Sequence, residues 1–380
     1  MSNRLSGKTV LCWINLGPYH IARATALAAE TDLTVIEFAA VQKLYGWTID
    51  RSKLPFGIVT LSNGTWEEQS IPALAKACWK NLERIRPNQL VIPGYANPIA
   101  LVIALWGCFR RVPRILMTES TAIDRRRHAW KEKLKSVLIN ALYDGVSFGG
   151  KPQLRYLEQL RFPAAKTAPF YNVVDNKFFS TSAECVRATR QPSDFSLPSR
   201  YFLYVGRLAP EKNVATLLRA FAAYRQAGGT FDLVLAGDGP LRDSLPALAH
   251  ELAVDANCHF VGNKTSLELP PYYAFATAFV LPSTSEPWGL VVNEAMAAGL
   301  PVFISNRCGC AEDLVSEGEN GYLFDPEKED QIAVCMSRIE SLPAAQLSQM
   351  KQSSLRRVQT YSPENWATHL ADLIQSLKPA

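Results

Sequence analysis

Twice along this 380-residue chain, short apolar runs alternate with segments whose apolar residues recur at helical spacing. In the first half, residues 9–15, 33–38, 57–61, 90–92, 114–117 and 145–148 read as strands. Helical patterns near 20–29, 71–86, 97–109, 129–143 and 153–160 separate most of them. From about 180 to 200 the chain is rich in Ser, Pro and charge, which predicts a surface connection. A second alternation follows, with strands at 202–205, 233–236, 259–261, 279–281 and 302–304 and helices near 214–226, 241–252 and 290–298. Alternation of this kind predicts parallel sheets covered by helices on both faces. The economical architecture is α/β: two Rossmann-like domains whose parallel sheets face each other across a cleft. The expected division is 1–175 and 176–361, with 362–380 crossing back to the first domain as a helix.

At 48% hydrophobic, the chain can bury two ordinary cores. Its longest apolar stretch, 98–109, is too short to span a bilayer and predicts a buried helix. The N-terminus leads straight into a strand-like run rather than a signal peptide, so a cytoplasmic location is expected. The eight cysteines are scattered, and the one close pair, Cys308 and Cys310, lacks a second Cys/His cluster. Free thiols in a reducing compartment fit better than a zinc site. The net charge of +5 conceals a split: residues 1–170 carry 23 Lys/Arg against 12 Asp/Glu, and the rest carry 17 against 23. The first half is therefore expected to face something anionic. Nucleic acid is the weakest option, because the basic residues do not interleave with stacking aromatics.

Residues 285–299 (Ser-Glu-Pro-Trp-Gly-Leu-Val-Val-Asn-Glu-Ala-Met-Ala-Ala-Gly) carry the most chemistry. Glu286 lies on a Pro/Gly turn, and Glu294 follows eight positions later, after an apolar run. A helix starting near Gly289 would put Glu286 ahead of its tip and Glu294 a turn or more inside. Unpaired N–H groups and the positive dipole end at such a tip suit a phosphate. Two carboxylates flanking an anion site could hold the hydroxyls of a sugar and a ribose joined by a diphosphate. The plainer reading, a capping Glu286 and a solvated Glu294, sits poorly with the apolar surroundings of Glu294.

Upstream, residues 204–213 (Tyr-Val-Gly-Arg-Leu-Ala-Pro-Glu-Lys-Asn) end a strand and open a helix. Gly206 permits close backbone approach, while Arg207 and Lys212 project from the strand's carboxyl end. Two cations there would neutralise a diphosphate and stabilise its departure. Residues 235–240 (Leu-Ala-Gly-Asp-Gly-Pro) place Gly237 and Gly239 on another strand–helix turn, a weak signal by itself.

These segments together resemble the bacterial retaining glycosyltransferases of family 4, which have the GT-B fold. The likeness is strong over residues 201–326 and weak in the N-terminal half. It implies that Arg207 and Lys212 bind donor phosphates and that Glu286 contacts the transferred sugar. It also implies that Glu294 holds the ribose, and that the backbone around Trp288, Gly289 and Leu290 meets sugar and phosphate. Gly206, Gly237 and Gly239 would border the donor, with the nucleobase near Val261 in the loop 260–264. Residues 320–325 look like the family's closing strand.

In the first half, Gly17 follows the first strand, where the family's glycine loop approaches phosphate or sugar. His20 and Arg23 are candidate acceptor contacts, although His20 equally fits a cap at the helix start. The segment lacks a full Gly-x-Gly-x-x-Gly, which counts against dinucleotide redox chemistry. Many relatives carry a histidine after the strand at 114–117. Here the sequence runs Met117-Thr-Glu-Ser-Thr121, so Glu119 is either a site carboxylate or an N-cap. Residues 125–143 form a basic amphipathic segment with Trp130, Leu134, Val137, Leu138, Ala141 and Leu142 on one face. Packing of that face on the core is one reading. Docking on an anionic membrane surface, from the cytoplasmic side, is the other.

The sequence thus predicts a retaining, metal-independent hexosyltransferase with no cofactor, taking a nucleotide diphosphate sugar as donor. The acceptor would be a sugar, lipid-linked or polysaccharide-precursor hydroxyl. A nucleotide-sugar epimerase, a pyridoxal-phosphate phosphorylase and a non-catalytic sugar- or membrane-binding protein are the alternatives. Catalysis would rest on orientation and electrostatic help to the leaving diphosphate, with domain closure.

Overall fold

The computed structural model describes residues 5–43, 49–122 and 127–377. Contacts divide the chain into two compact units, Met1–Val174 with Tyr361–Ala380 (unit 1) and Asp175–Thr360 (unit 2). In unit 1 the order is β1 (Lys8–Trp13), α1 (Pro18–Glu30), β2 (Asp32–Glu37), β3 (Gly57–Thr60), α2 (Ile71–Ile85), β4 (Gln89–Pro93) and α3 (Pro98–Arg110). It continues with β5 (Arg114–Thr118), α4 (Ala129–Leu142), β6 (Gly145–Phe148), α5 (Lys151–Gln159) and β7 (Thr167–Ala168). The seven strands form one parallel sheet in the order β3-β2-β1-β4-β5-β6-β7. Val10, Leu11 and Cys12 on β1, an interior strand, are fully buried, as an all-parallel strand covered on both faces requires.

Unit 2 begins with α6 (Asn176–Thr189), then β8 (Tyr201–Val205), α7 (Val214–Gln226), β9 (Asp232–Ala236), α8 (Ser244–Glu251) and β10 (Cys258–Gly262). There follow α9 (Pro270–Phe275), β11 (Ala278–Leu281), α10 (Leu290–Ala297), β12 (Val302–Ser305), α11 (Ala311–Leu314) and β13 (Gly321–Phe324). The unit closes with α12 (Glu329–Glu340) and α13 (Ala344–Val358). Its six strands are also parallel, in the order β10-β9-β8-β11-β12-β13. Its core is aromatic: Phe202 stands edge-on to Tyr224 and Phe303, with both ring pairs 5.5 Å apart.

Strand order reverses between β1 and β4 in unit 1, and between β8 and β11 in unit 2. Loops leaving the carboxyl ends of such neighbours run in opposite directions, so each reversal opens a crevice where ligands bind in doubly wound folds. In unit 2 those loops are 206–213 and 282–289, which carry Arg207, Lys212, Glu286, Trp288 and Gly289.

The last helix, α14 (Pro363–Ser376), belongs to unit 1. Ser362 caps it by accepting from the N–H of Asn365, and Pro363 takes the first turn, where no donor is needed. Buried Trp366 donates through Nε1 to Ser147 Oγ on β6 at 3.0 Å, which anchors the helix to that sheet.

One segment departs from the sequence reading. Residues 176–189 form helix α6, so the irregular connection is confined to 190–200. Ser, Thr and charge there read as a loop, but Asp175 caps the helix through its bond to the N–H of Phe178 (2.8 Å). Phe179 and Ala183 then bury one face.

Candidate functional site

The donor-side residues of unit 2 lie on loops tied together by backbone. The N–H of Gly206 donates to the carbonyl of Ala236 (3.0 Å), Leu208 to Asp238 (2.8 Å), and Gly237 to Gly262 (2.9 Å). A methyl group on Gly237 would stand 1.8 Å from the Gly206 carbonyl oxygen, so only glycine lets the loops after β8 and β9 touch. Gly239 lies in the same turn. Register shifts in β10 between Phe260 and Gly262, which leaves Val261 at a bulge, a device that re-aims side chains near sites.

A second set of bonds joins the loop after β8 to the loop after β11. Thr284 donates its N–H to the carbonyl of Glu211 (2.9 Å). The amide of Asn213 donates to the carbonyls of Pro282 (3.2 Å) and Pro326 (2.8 Å). Lys212 is thereby placed in an ion pair with Glu286, the side chains being 18% and 12% exposed. An ammonium has three donors, so this pairing leaves Lys212 able to bind a second anion. Arg207 is more open and makes a loose contact with Glu211 at 3.6 Å. Burial, with the Glu286 and Glu211 carboxylates nearby, pushes the Tyr204 hydroxyl well above its ordinary value. Tyr204 therefore stays protonated, donating to the Arg207 carbonyl at 2.7 Å.

Helix α10 begins at Leu290, and its N-cap is Gly289 in the left-handed region (φ 105°). No side chain caps it and no acid sits in its first turn. Its leading N–H groups and positive dipole end therefore suit an anion beside Glu286. Trp288 is buried and donates through Nε1 to Asn293 Oδ1 (2.9 Å), so it fixes the loop through its side chain.

Glu294 is not a solvated helix residue. It is fully buried, and its Oε2 accepts from the Tyr273 hydroxyl at 2.6 Å. The apolar sequence around it forecast the need for a partner, but the partner comes from α9.

The segment after β12 was not singled out as part of this site. Glu286 and Cys308 form a parallel bridge, the N–H of Gly309 donates to the Glu286 carbonyl (2.9 Å), and that of Cys310 to the Trp288 carbonyl (3.1 Å). A methyl on Gly309 would lie 1.9 Å from the Pro287 carbonyl oxygen. The close cysteine pair marks a backbone clamp on the Glu286 loop. Both thiols are buried, and burial with Glu286 nearby raises Cys308, so they are inert neutral groups.

In unit 1, Gly17 caps α1, and its N–H donates to His20 Nδ1 at 3.0 Å. His20 thus takes the capping role, with its ring 4.7 Å from that of Trp13. Desolvation, then the Arg23 cation, lowers its pKa well below 6.5. Arg23 is buried: Nη1 donates to the Tyr171 carbonyl (2.9 Å) and Nε to the Tyr19 carbonyl (3.2 Å). Its guanidinium also lies 4.3 Å from the Tyr171 ring centroid. These bonds make Arg23 a fastener of the loop rather than a group open to acceptor. Glu119 accepts from Asn172 Nδ2 at 2.7 Å, and the N-cap position of α4 is held by His128. Tyr171 and Asn172, which hold Arg23 and Glu119, gave no signal in the sequence pattern.

Residues 186–356 match the family described as Glycosyl transferases group 1. The matched stretch lies within unit 2. An uncharacterized glycosyltransferase of Methanocaldococcus jannaschii is 36% identical over 142 residues, 37% of this chain and 36% of that protein. A GDP-mannose-dependent alpha-(1-6)-phosphatidylinositol monomannoside mannosyltransferase of Mycobacterium tuberculosis is 32% identical over 142 residues, 36% of this chain and 37% of that protein. The chain thus spans little more than a third of these relatives' length. Anabaena HepE, solved in complex with UDP, superposes with a TM-score of 0.76 at 18% identity, covering 97% of this chain and all of that one. The fold is GT-B, with two parallel-sheet Rossmann-like domains.

The neutral state of His20 has a measurable consequence. Because the unfolded chain binds the proton more readily, unit 1 should lose stability through this group as pH falls below about 6.5. An NMR titration, with the ring assigned by comparison with His20→Gln, should give a midpoint well below 6.5. An ordinary midpoint would contradict the partly buried geometry beside Arg23.

Proposed function

We propose that the protein is a retaining glycosyltransferase that moves a hexosyl group from a nucleotide diphosphate sugar to an acceptor hydroxyl. The observation that carries this reading is the Lys212–Glu286 pair beside the uncapped tip of α10, inside the stretch that matches the group 1 family. The diphosphate would lie against Lys212, Arg207 and the first N–H groups of α10. Glu286, already held by Lys212, would receive sugar hydroxyls. Gly206, Gly237, Gly239 and Val261 would border the nucleoside, and Gly289 and Leu290 the phosphates.

Gly17, His20 and Glu119 would serve the acceptor on unit 1. A lipid-linked acceptor is favoured by the mycobacterial relative, whose name describes a phosphatidylinositol mannoside substrate. In the reaction the acceptor oxygen attacks the anomeric carbon on the face from which the diphosphate departs. The bond from that carbon to the phosphate oxygen breaks, and the acceptor proton passes to the departing phosphate oxygen. No protein nucleophile is required, and the chain's contribution is orientation and charge stabilisation. The metal-independent form of this chemistry is part of the proposal, with Arg207 and Lys212 supplying the positive charge.

Glu294 is assigned to ribose on the resemblance, whereas its position gives it Tyr273 as a partner. Glu294→Gln keeps an acceptor for Tyr273 while removing the charge. Calorimetry against a nucleoside diphosphate panel should then show about tenfold weaker binding, as loss of a charged hydrogen bond implies. Unchanged affinity would remove Glu294 from the donor site.

Lys212→Ala should lower turnover about a hundredfold or more, the scale for losing one preorganised charge at a developing anion. Turnover is followed as nucleotide released in the presence of acceptor, once the panel has fixed the donor. Undiminished release would exclude Lys212 from the mechanism.

A further inference from the structure

Helix α4 turns Trp130, Leu134 and Val137 outward. Ile139 is its buried residue, Leu138 and Leu142 are partly buried, and polar side chains anchor the rest of the inward side. Ser136 Oγ donates to the Leu160 carbonyl (2.6 Å), and Lys135 Nζ to Glu132 (3.0 Å) and the Tyr156 hydroxyl (2.5 Å). At 100° per residue, Trp130, Leu134, Val137 and Ala141 form one stripe opposite Ile139. Trp130, Leu134 and Val137 are 66%, 63% and 61% exposed.

The apolar residues of 125–143 therefore do not pack as a set on the core; residues 125 and 126 lie outside those described. Leu138 and Leu142 turn partly inward, while the aromatic and branched side chains face out. Neighbouring α3, which packs against α4, adds Leu105 and Phe109, 53% and 73% exposed. Isolated exposed apolar side chains are ordinary, but five large ones on two adjoining helices form a patch that marks an interaction surface.

Charge identifies the occupant. Lys131 and Lys133 are exposed on either side of the stripe, and Arg111 is exposed at the end of α3. The acids nearby are engaged: Glu83 by Arg110 (2.5 Å) and Glu132 by Lys135 (3.0 Å). Unbalanced charge around the patch is thus positive. A tryptophan and aliphatic stripe flanked by lysines, whose stems can lie on apolar surface while their ammoniums reach outward, matches a lipid interface. Among the described residues no helix is long and apolar enough to cross a membrane, so the contact is lateral.

We propose that the outer face of α3 and α4, built on Leu105, Phe109, Trp130, Leu134 and Val137 with Lys131 and Lys133, docks unit 1 on an anionic lipid bilayer. This docking goes beyond the transferase reading and stands or falls without it. Full-length protein is sedimented with phosphatidylcholine vesicles, with or without about a third phosphatidylglycerol. The wild type should pellet with the anionic vesicles alone, and less in high salt.

Trp130→Ser with Leu134→Ser should cut the bound fraction about tenfold. Lys131→Gln with Lys133→Gln should abolish the preference for anionic lipid. Both variants change exposed side chains, so circular dichroism and nucleotide affinity should match the wild type. Absence of vesicle binding, or equal binding to neutral vesicles, would overturn the proposal. So would conversion of a wild-type dimer to monomer by Trp130→Ser with Leu134→Ser, which would make the patch an interface between copies.

Discussion

The contact between Lys212 and Glu286 joins residues 74 positions apart in sequence and depends on one topological fact. Strands β8 and β11 are parallel neighbours, with Phe202 opposite Ala278, although two other strands intervene along the chain. Their carboxyl ends bring a lysine from one loop to a glutamate from the other. Two mostly covered charges are stable only when paired and well held. Here the holding is almost entirely backbone: Thr284 to Glu211 on one side, Gly309 and Cys310 to the Glu286 loop on the other. A loop fixed in this manner can keep a charged side chain in place without ligand, which is the preorganisation that stabilisation of a leaving anion demands.

Unit 1 uses its charges differently. Arg23 is committed to Tyr19 and Tyr171, and Glu37 accepts from Arg51 Nε at 2.8 Å and Thr60 Oγ1 at 2.7 Å. These buried contacts stiffen the loops at the carboxyl edge of its sheet. Exposed cations stand on α3 and α4 beside the exposed apolar side chains Leu105, Phe109, Trp130, Leu134 and Val137. The basic excess of the first half is thus read as a surface property rather than as part of the loop chemistry.

The alternation of patterns was enough to place nearly every strand, because parallel strands buried on both faces are short apolar runs with clear punctuation. The donor loops were legible for a related reason. Arg207, Lys212, Glu286 and Gly289 sit within a few residues of strand ends, and their chemistry follows from that position. What pattern reading missed lies in long-range pairing: Arg23 with Tyr171 across 148 positions, Glu119 with Asn172 across 53, and the clamp from Gly309 to Glu286. Spacing carries no trace of such contacts. Helical periodicity also has no sign: it found the stripe on α4 but could not tell inward from outward. Polar anchors such as Ser136, which bonds to Leu160, decided that.

The central claim is that a nucleotide diphosphate is gripped by Lys212, Arg207 and the tip of α10. A crystal structure with a nucleoside diphosphate bound tests it most directly. The account predicts phosphate oxygens within about 3 Å of Lys212 Nζ and of the first N–H groups of α10, normal hydrogen-bond distances, with Glu286 still beside the lysine. A diphosphate found on other residues, with the Lys212–Glu286 pair untouched, would contradict it.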